Sequence, residues 1–285
     1  LGNIQDIESI SVICNKHNVL LLTDNAHGAY LGFLEQSRHP IALGADMCCD
    51  SAHKTLPALT GAAYLHISEN APPEYVKNAR NELAVFSSTS PSYLILQSLD
   101  LLNPYLCGNF REELKTCTAR IGELKNSLRK KGYDVLNNET LKITVKASSC
   151  GITGFALADI IRKSGIEPEY SDRDYLVLML TPQNSAEDFS QIEKGFPEVG
   201  ITSSPLPGLE IGNYPIPRRI MNIRNAAFSE FETVDVSVSC GRICAAPTVS
   251  CPPAVTPVVS GEMIDENIIK ILEYCGIKKI KVVAE

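Results

Sequence analysis

No two cysteines stand at Cys-x-x-Cys spacing, and none of the five histidines pairs with a cysteine at the spacing of a zinc finger. No metal site is therefore expected. There is no excess of basic residues either: 26 Lys and Arg stand against 33 Asp and Glu, a net charge of -7. Nucleic-acid binding normally needs a basic face, so that class is excluded. No apolar run reaches the roughly 18 residues of a membrane span. Signal and transit peptides are lacking, and no methionine opens "LGNIQDIESI", which reads as the middle of something longer. No internal repeat or low-complexity tract is visible.

What is present is enough for a sizeable core: 285 residues, of which 44% are hydrophobic. Most of the ten cysteines sit inside apolar stretches, as Cys14 and Cys48-Cys49 do. Buried free thiols in a reducing, cytoplasmic setting are the expected reading.

Residues 6–16 carry Ile7, Ile10, Ile13 and Cys14 at helical spacing. The run "NVLLLTD" then ends in Asp24 and has the look of a buried parallel strand. "ADMCCD" and "GAAYLHI" are further strand candidates. Helix, strand, loop and strand, with polar residues just past the strand ends, predict an α/β domain with its ligand at the carboxyl ends of the strands. From residue 108 the character changes. Phe110, Leu114, Cys117, Ile121, Leu124 and Leu128 form an amphipathic stripe closed by Gly132. Arg129 to Lys131 should be the solvated end of that helix. "LKITVKA", "GFALADIIRKSG", "YLVLML" and a helix after Ser185 follow, then a Pro-rich loop over 202–218, a helix from Asp265 to Cys275 and the strand "IKKIKVV". The expected division is a large-domain portion over 1–107 and a smaller α+β domain over 108–285.

Polar residues collect at two strand ends: Asp24 and His27 after the first, and Ser51, His53 and Lys54 after the second. A lysine in a loop is ordinarily a solvated charge, and an aspartate at a strand end is ordinarily a turn residue. Together, though, they are the parts that pyridoxal phosphate (PLP) chemistry requires. An amine carries the cofactor, a carboxylate keeps its pyridine nitrogen protonated, and hydroxyl and imidazole donors hold its phosphate.

Three stretches, "TDNAHGAYLGF", "DSAHKTLPALTGAAYLH" and "FSSTSPSYLILQSLD", together resemble the Orn/Lys/Arg decarboxylase family. These are PLP-dependent enzymes of fold type I. Ser51-Ala-His53-Lys54 matches the family's Ser-x-His-Lys motif, Asp24-Asn-Ala26-His27-Gly28 its Asp-x-Ala-His-Gly motif, and Ser87 to Pro91 its Ser-Pro segment. "GRICAAPTVSCPPAVTPVVSGEMI" resembles the C-terminal blocks. The resemblance implies a partial fold-type I large domain, mainly parallel, followed by a smaller domain. It implies that Lys54 carries the cofactor as a Schiff base, that Asp24 pairs with the pyridine nitrogen, that Ala26 lies against the ring and that His27 sits beside it. Ser51 and His53 would contact the phosphate, with His53 also a candidate proton donor near the substrate α-carbon. Ser88 and Thr89 would reach a neighbouring subunit's cofactor, or else serve as a plain helix cap. A homodimer or higher homo-oligomer is implied, acting on an amino acid.

Two departures from the family bear on function. The part of the domain that precedes residue 1 in the family, with its phosphate loop, has no counterpart here, so a truncated or split chain is expected. In addition, Asp235 is the nearest acid before Gly241-Arg-Ile243, and Cys251-Pro-Pro-Ala254 replaces a Tyr-Pro-Pro-Gly block. Glu167 and Glu169 are candidate binders of a substrate amine, or else exposed loop carboxylates. The activity implied is decarboxylation of lysine, ornithine or arginine to an amine and CO2. A fold-type I aminotransferase or lyase, or an inactive chain with a structural role, stays open. Arg242 is the one arginine in a matched block, and no arginine is assigned as a clamp for the α-carboxylate.

Overall fold

The structure, a computed structural model, describes residues 3–199, 204–209, 216–247 and 256–284. Helix α1 (Ile7–Lys16) begins where the Asp6 carboxylate accepts the Ser9 amide at 3.1 Å, filling one of the free donors of a first turn. Strand β1 (Leu22–Asp24) pairs in parallel with β2 (Met47–Ser51), and β2 pairs antiparallel with β3 (Ala63–Ile67). The order is β1-β2-β3. The short helix α2 (Ala52–Thr55) follows β2 directly and sets Lys54 just past the strand's carboxyl end, as the alternation of apolar run and polar residue predicts.

The structure departs from several expectations here. β1 is parallel but not buried, with Leu22 64% exposed, because it is an edge strand with a neighbour on one side only. The apolar face of α1 is only partly covered: Ile7 is buried, while Ile10 and Ile13 are 37% and 60% exposed. The three-stranded sheet is mixed, with one parallel and one antiparallel pairing. Of the nine described cysteines, all free, Cys48, Cys117, Cys150 and Cys244 are buried, whereas Cys49, Cys107 and Cys240 are exposed. Alternation explains the neighbours: successive strand residues face opposite sides of the sheet, so Cys48 goes in and Cys49 out.

Helices α3 (Pro73–Phe86) and α4 (Tyr93–Cys107) lead to α5 (Phe110–Lys130). All six stripe residues of α5 are buried. Each contributes about 1.5–3 kcal/mol of transfer free energy if it is a full-sized apolar side chain. Glu112 and Glu113 in the first turn and Arg129 and Lys130 in the last complement the helix dipole. Gly132 ends the helix at a φ of 96°, a left-handed conformation in which side chains are strained. The end of α5 is less solvated than expected: Arg129 binds the Val135 carbonyl at 2.9 Å and Lys131 the Phe196 carbonyl at 2.8 Å.

Strands β4 (Val135–Leu136), β5 (Lys142–Lys146), β6 (Tyr170–Ser171) and β7 (Tyr175–Met179) form an antiparallel sheet in the order β4-β5-β7-β6. Helix α6 (Gly154–Arg162) and helix α7 (Ala186–Gly195) accompany it. α7 opens with a capping box between Ser185 and Asp188. Further on lie α8 (Ile223–Ala227), β8 (Phe231–Asp235), α9 (Glu266–Tyr274) and β9 (Lys279–Val283), with β8 and β9 antiparallel. The described parts of the Pro-rich loop carry neither helix nor strand before residue 219. Cys251 to Ala254 lie outside the described residues.

One apolar cluster joins Tyr30, Ala52 and Leu56 to the α5 stripe and to Ile143, Val145, Leu157 and Leu176. A second, around Val236, Ile264, Ile268, Leu272 and Val282, holds β8, β9 and α9 together. Fully buried Tyr30 donates its hydroxyl to the Glu139 carboxylate, fastening the turn after β1 to the loop before β5. Among the described residues no helix is long and apolar enough to cross a membrane.

Candidate active site

Between the carboxyl end of β1 and the face of β5, β6 and β7 lies a cleft of about 730 Å³. Its wall includes Asp24, Ala26, His27 and Lys54, four of the residues singled out from the sequence. Their turn is tightly specified. Asp24 Oδ1 accepts the Ala26 amide at 3.0 Å, and the Gly28 amide donates to the Asn25 carbonyl at 2.8 Å. A Cβ on Gly28 would collide with the Asn25 side chain, which is tied to Asp50 at 2.7 Å, so the turn favours glycine. Lys54 Nζ stands 3.3 Å from His27 Nε2.

Burial is the largest influence on His27, followed by the nearby Lys142 and Lys54 ammonium groups; with Asp24 only partly opposing them, its pKa falls to about 4. At neutral pH the ring is therefore uncharged, and Nε2 can accept a hydrogen bond from Lys54 Nζ. Two buried polar atoms on the wall, Thr23 Oγ1 and His27 Nδ1, have no hydrogen-bond partner among the described residues. Buried donors and acceptors are rarely left so. The cleft also brings Arg38, Lys54 and Lys142 together with Asp24, Glu139 and Glu169. An aromatic, polar group carrying both charges fits such a wall, and PLP with an amino acid is such a combination.

The other predicted residues stand elsewhere. Ser51 precedes α2 without lining the cleft, and His53 Nδ1 is held 3.0 Å from the Ala62 carbonyl. Ser88 and Thr89 are exposed and border a shallow groove with Leu65 and Val76. The two glutamates separate. Glu167 is engaged by Arg162 at 2.8 Å on the surface, whereas Glu169 lines the cleft. Arg242 is held by Glu232 and, at 2.9 Å, by the Val283 carbonyl, and it is not among the residues lining the cleft.

Three features of the region were not legible beforehand. Arg38 reaches the cleft although no matched motif contains it. Glu139, with Oε2 buried and without a hydrogen-bond partner, faces it from the far side of the chain. In place of the expected absence of a metal-ligating cluster, His39, Asp50 and His66 bring three ligand atoms together directly before Ser51. Burial works to raise the Asp50 pKa, but contacts from His39, His66 and Asn25 outweigh it and hold the carboxyl well below its ordinary value. The signal available was indirect: Cys48-x-Asp50 on one strand face, with a histidine on the next strand.

The model of the Orn/Lys/Arg decarboxylase major domain matches residues 1–146. The uncharacterized protein YaaO of Bacillus subtilis is 27% identical over 93% of this chain and 58% of its own length. An arginine decarboxylase of the same organism is 25% identical over 93% of this chain and 58% of its own. The chain thus spans a little over half the length of these relatives. Among solved structures, the constitutive lysine decarboxylase of E. coli superposes with a TM-score of 0.71 at 15% identity, over 99% of this chain and 56% of the other. The fold is the fold-type I arrangement expected from the motifs.

Proposed function

Since the chain belongs to the Orn/Lys/Arg decarboxylase family, we propose that it carries the lysine side of a PLP site where lysine, ornithine or arginine is converted to an amine and CO2. The observation that carries this reading is the meeting of Lys54 Nζ and His27 Nε2 at 3.3 Å in a cleft that Asp24 also lines. When bound, PLP supplies the electron sink for the bond broken at the substrate α-carbon. Asp24 is the carboxylate available to a cationic ring nitrogen, with Ala26 and His27 beside it. Uncharged His27 orients the Lys54 amine by accepting its hydrogen bond. Lys54 Nζ, or the neighbouring His53, returns a proton to the α-carbon once CO2 has left. Ile4, Ile7, Leu31 and Val177 give the wall an apolar stretch against which a ring can pack. Glu169 suits the cationic end of a basic amino acid. Ser51 and His53 follow the family pattern as phosphate contacts, and Ser88 and Thr89 as residues serving a second copy of the chain.

A second reading, an aminotransferase, is favoured by one observation. Arg38 on the wall could clamp the substrate α-carboxylate and retain it. One experiment separates the two. The protein, supplied with PLP, is incubated with labelled lysine, ornithine and arginine, while a parallel sample is reduced with borohydride and mapped by mass spectrometry. Label on Lys54 together with CO2 release supports the proposal. Keto acid without CO2 selects the aminotransferase, and cofactor fixed to another lysine refutes the site.

A further inference from the structure

Strand alternation places Cys48 and Asp50 on one face of β2, and the register sets His66 of β3 opposite Cys48. His39 comes over this face from the preceding loop. Asp50 Oδ2 is 3.0 Å from both His39 Nε2 and His66 Nε2. Cys48 Sγ is 3.7 Å from His39 Nε2 and 4.0 Å from Asp50 Oδ1. The two imidazoles meet edge to face, with centroids 5.1 Å apart.

We propose that Cys48, Asp50, His39 and His66 form a structural site for a divalent transition metal, zinc being the natural occupant. Zinc bonds of about 2.0–2.1 Å to nitrogen and oxygen and 2.3 Å to sulfur make tetrahedral edges of about 3.3 and 3.6 Å. The contacts of 3.0 Å between Asp50 Oδ2 and each imidazole lie close to the shorter edge, so three donors already surround one point, and Cys48 Sγ, 3.7 Å from His39 Nε2, stands at its margin as the fourth. Without an ion the same groups form a carboxylate flanked by two imidazoles, with His66 Nε2 3.0 Å from Asp50 Oδ2 but poorly aligned for a hydrogen bond. A metal ion at the centre would use the lone pairs of both imidazoles.

The charges also suit a cation. Asp50 is 3% exposed and the His39 side chain 12% exposed, and a buried carboxylate with a thiolate balances a divalent ion with two neutral imidazoles. Metal binding would release the Cys48 thiol proton. Metal on His39 Nε2 puts the ring proton on Nδ1. The Ile41 amide contact there, long at 3.4 Å, would be given up at little cost. The surroundings supply an outer support as well: Asn25 Nδ2 donates to Asp50 Oδ1 at 2.7 Å, which leaves Oδ2 for the ion and fixes the carboxylate's orientation. All four positions are filled by protein, so the ion would hold structure and not bind substrate. What it would hold is the end of β2, one residue before Ser51 and four before Lys54, together with the turn that Asn25 anchors.

The test is a titration of the full chain, stripped with chelator and reduced, with cobalt(II) as an optical probe and zinc(II) as competitor. The expected result is one equivalent of cobalt with the intense visible bands of a tetrahedral site, a near-ultraviolet thiolate-to-cobalt band, and displacement by zinc. Cys48→Ser should lose the near-ultraviolet band, and His66→Ala should weaken binding roughly 100-fold or more. Circular dichroism of the metal-free variants checks that they fold, and His39→Gln repeats the test at a second ligand. No stoichiometric binding by the wild-type protein would overturn the proposal. So would cobalt spectra and affinity unchanged in folded His66→Ala and His39→Gln, since other cysteines would then be the ligands.

Discussion

Replacing His27 by glutamine should change how stability depends on pH, in a direction that the cleft dictates. The folded protein lowers the His27 pKa from 6.5 to about 4, burial being the first cause. The unfolded chain therefore takes up a proton below its pKa of 6.5 that the folded chain refuses until about 4. His27 then contributes stability that is fully present above the unfolded value and is lost as pH falls through the folded one. Each unit of difference corresponds to about 1.4 kcal/mol, so a gap of roughly 2.5 units sets a ceiling of about 3 kcal/mol. The partly open cleft brings the figure below that ceiling, because water screens the lysine charges. Urea unfolding is the assay, run from neutral pH down to about pH 4 on both proteins. The wild type should lose up to about 3 kcal/mol more than His27→Gln over this range. Comparison of the two curves cancels the contributions of the other titrating groups. Parallel curves, or an imidazole resonance of His27 titrating at its ordinary value, would refute both the burial argument and the uncharged state on which the Lys54 contact depends.

Asp24→Asn should keep the turn, because an amide oxygen can accept the Ala26 amide as the carboxylate does at 3.0 Å, but it removes the charge. The expected outcome is retained PLP absorbance with turnover down roughly 100-fold or more; wild-type CO2 release would remove Asp24 from the site. Ile121→Ala deletes a side chain 1% exposed in the middle of the α5 stripe and should cost about 2–5 kcal/mol, seen as a lower denaturant midpoint with an unchanged slope. We also expect self-association, since Phe86 at the end of α3 and Tyr93 and Leu94 at the start of α4 are 89%, 84% and 67% exposed, and exposed apolar side chains close in sequence favour an interface. Light scattering at micromolar concentration checks this, and a monodisperse monomer would count against it.

Local patterns carried a large part of this protein. The six-residue stripe from Phe110 to Leu128 defined α5 and its buried face, because 3.6-residue periodicity depends only on neighbours along the chain. Ser51-Ala-His-Lys54 and Asp24-Asn-Ala-His-Gly28 pointed to the chemistry for the same reason: each is a continuous segment at a strand end. What the sequence could not decide is how deeply each element is covered and which distant residues meet. Ile10, Ile13 and Leu22 have the composition of buried positions and are exposed, because burial depends on a neighbouring layer and not on the residue's own pattern. Arg38 and Glu169 share a cleft across 131 positions of chain, because one apolar cluster joins the turn after β1 and helix α2 to α5 and the second sheet. His39, Asp50 and His66 converge through strand register. Register is set by pairing partners far apart in sequence, so only the tertiary structure brings those three side chains to one point.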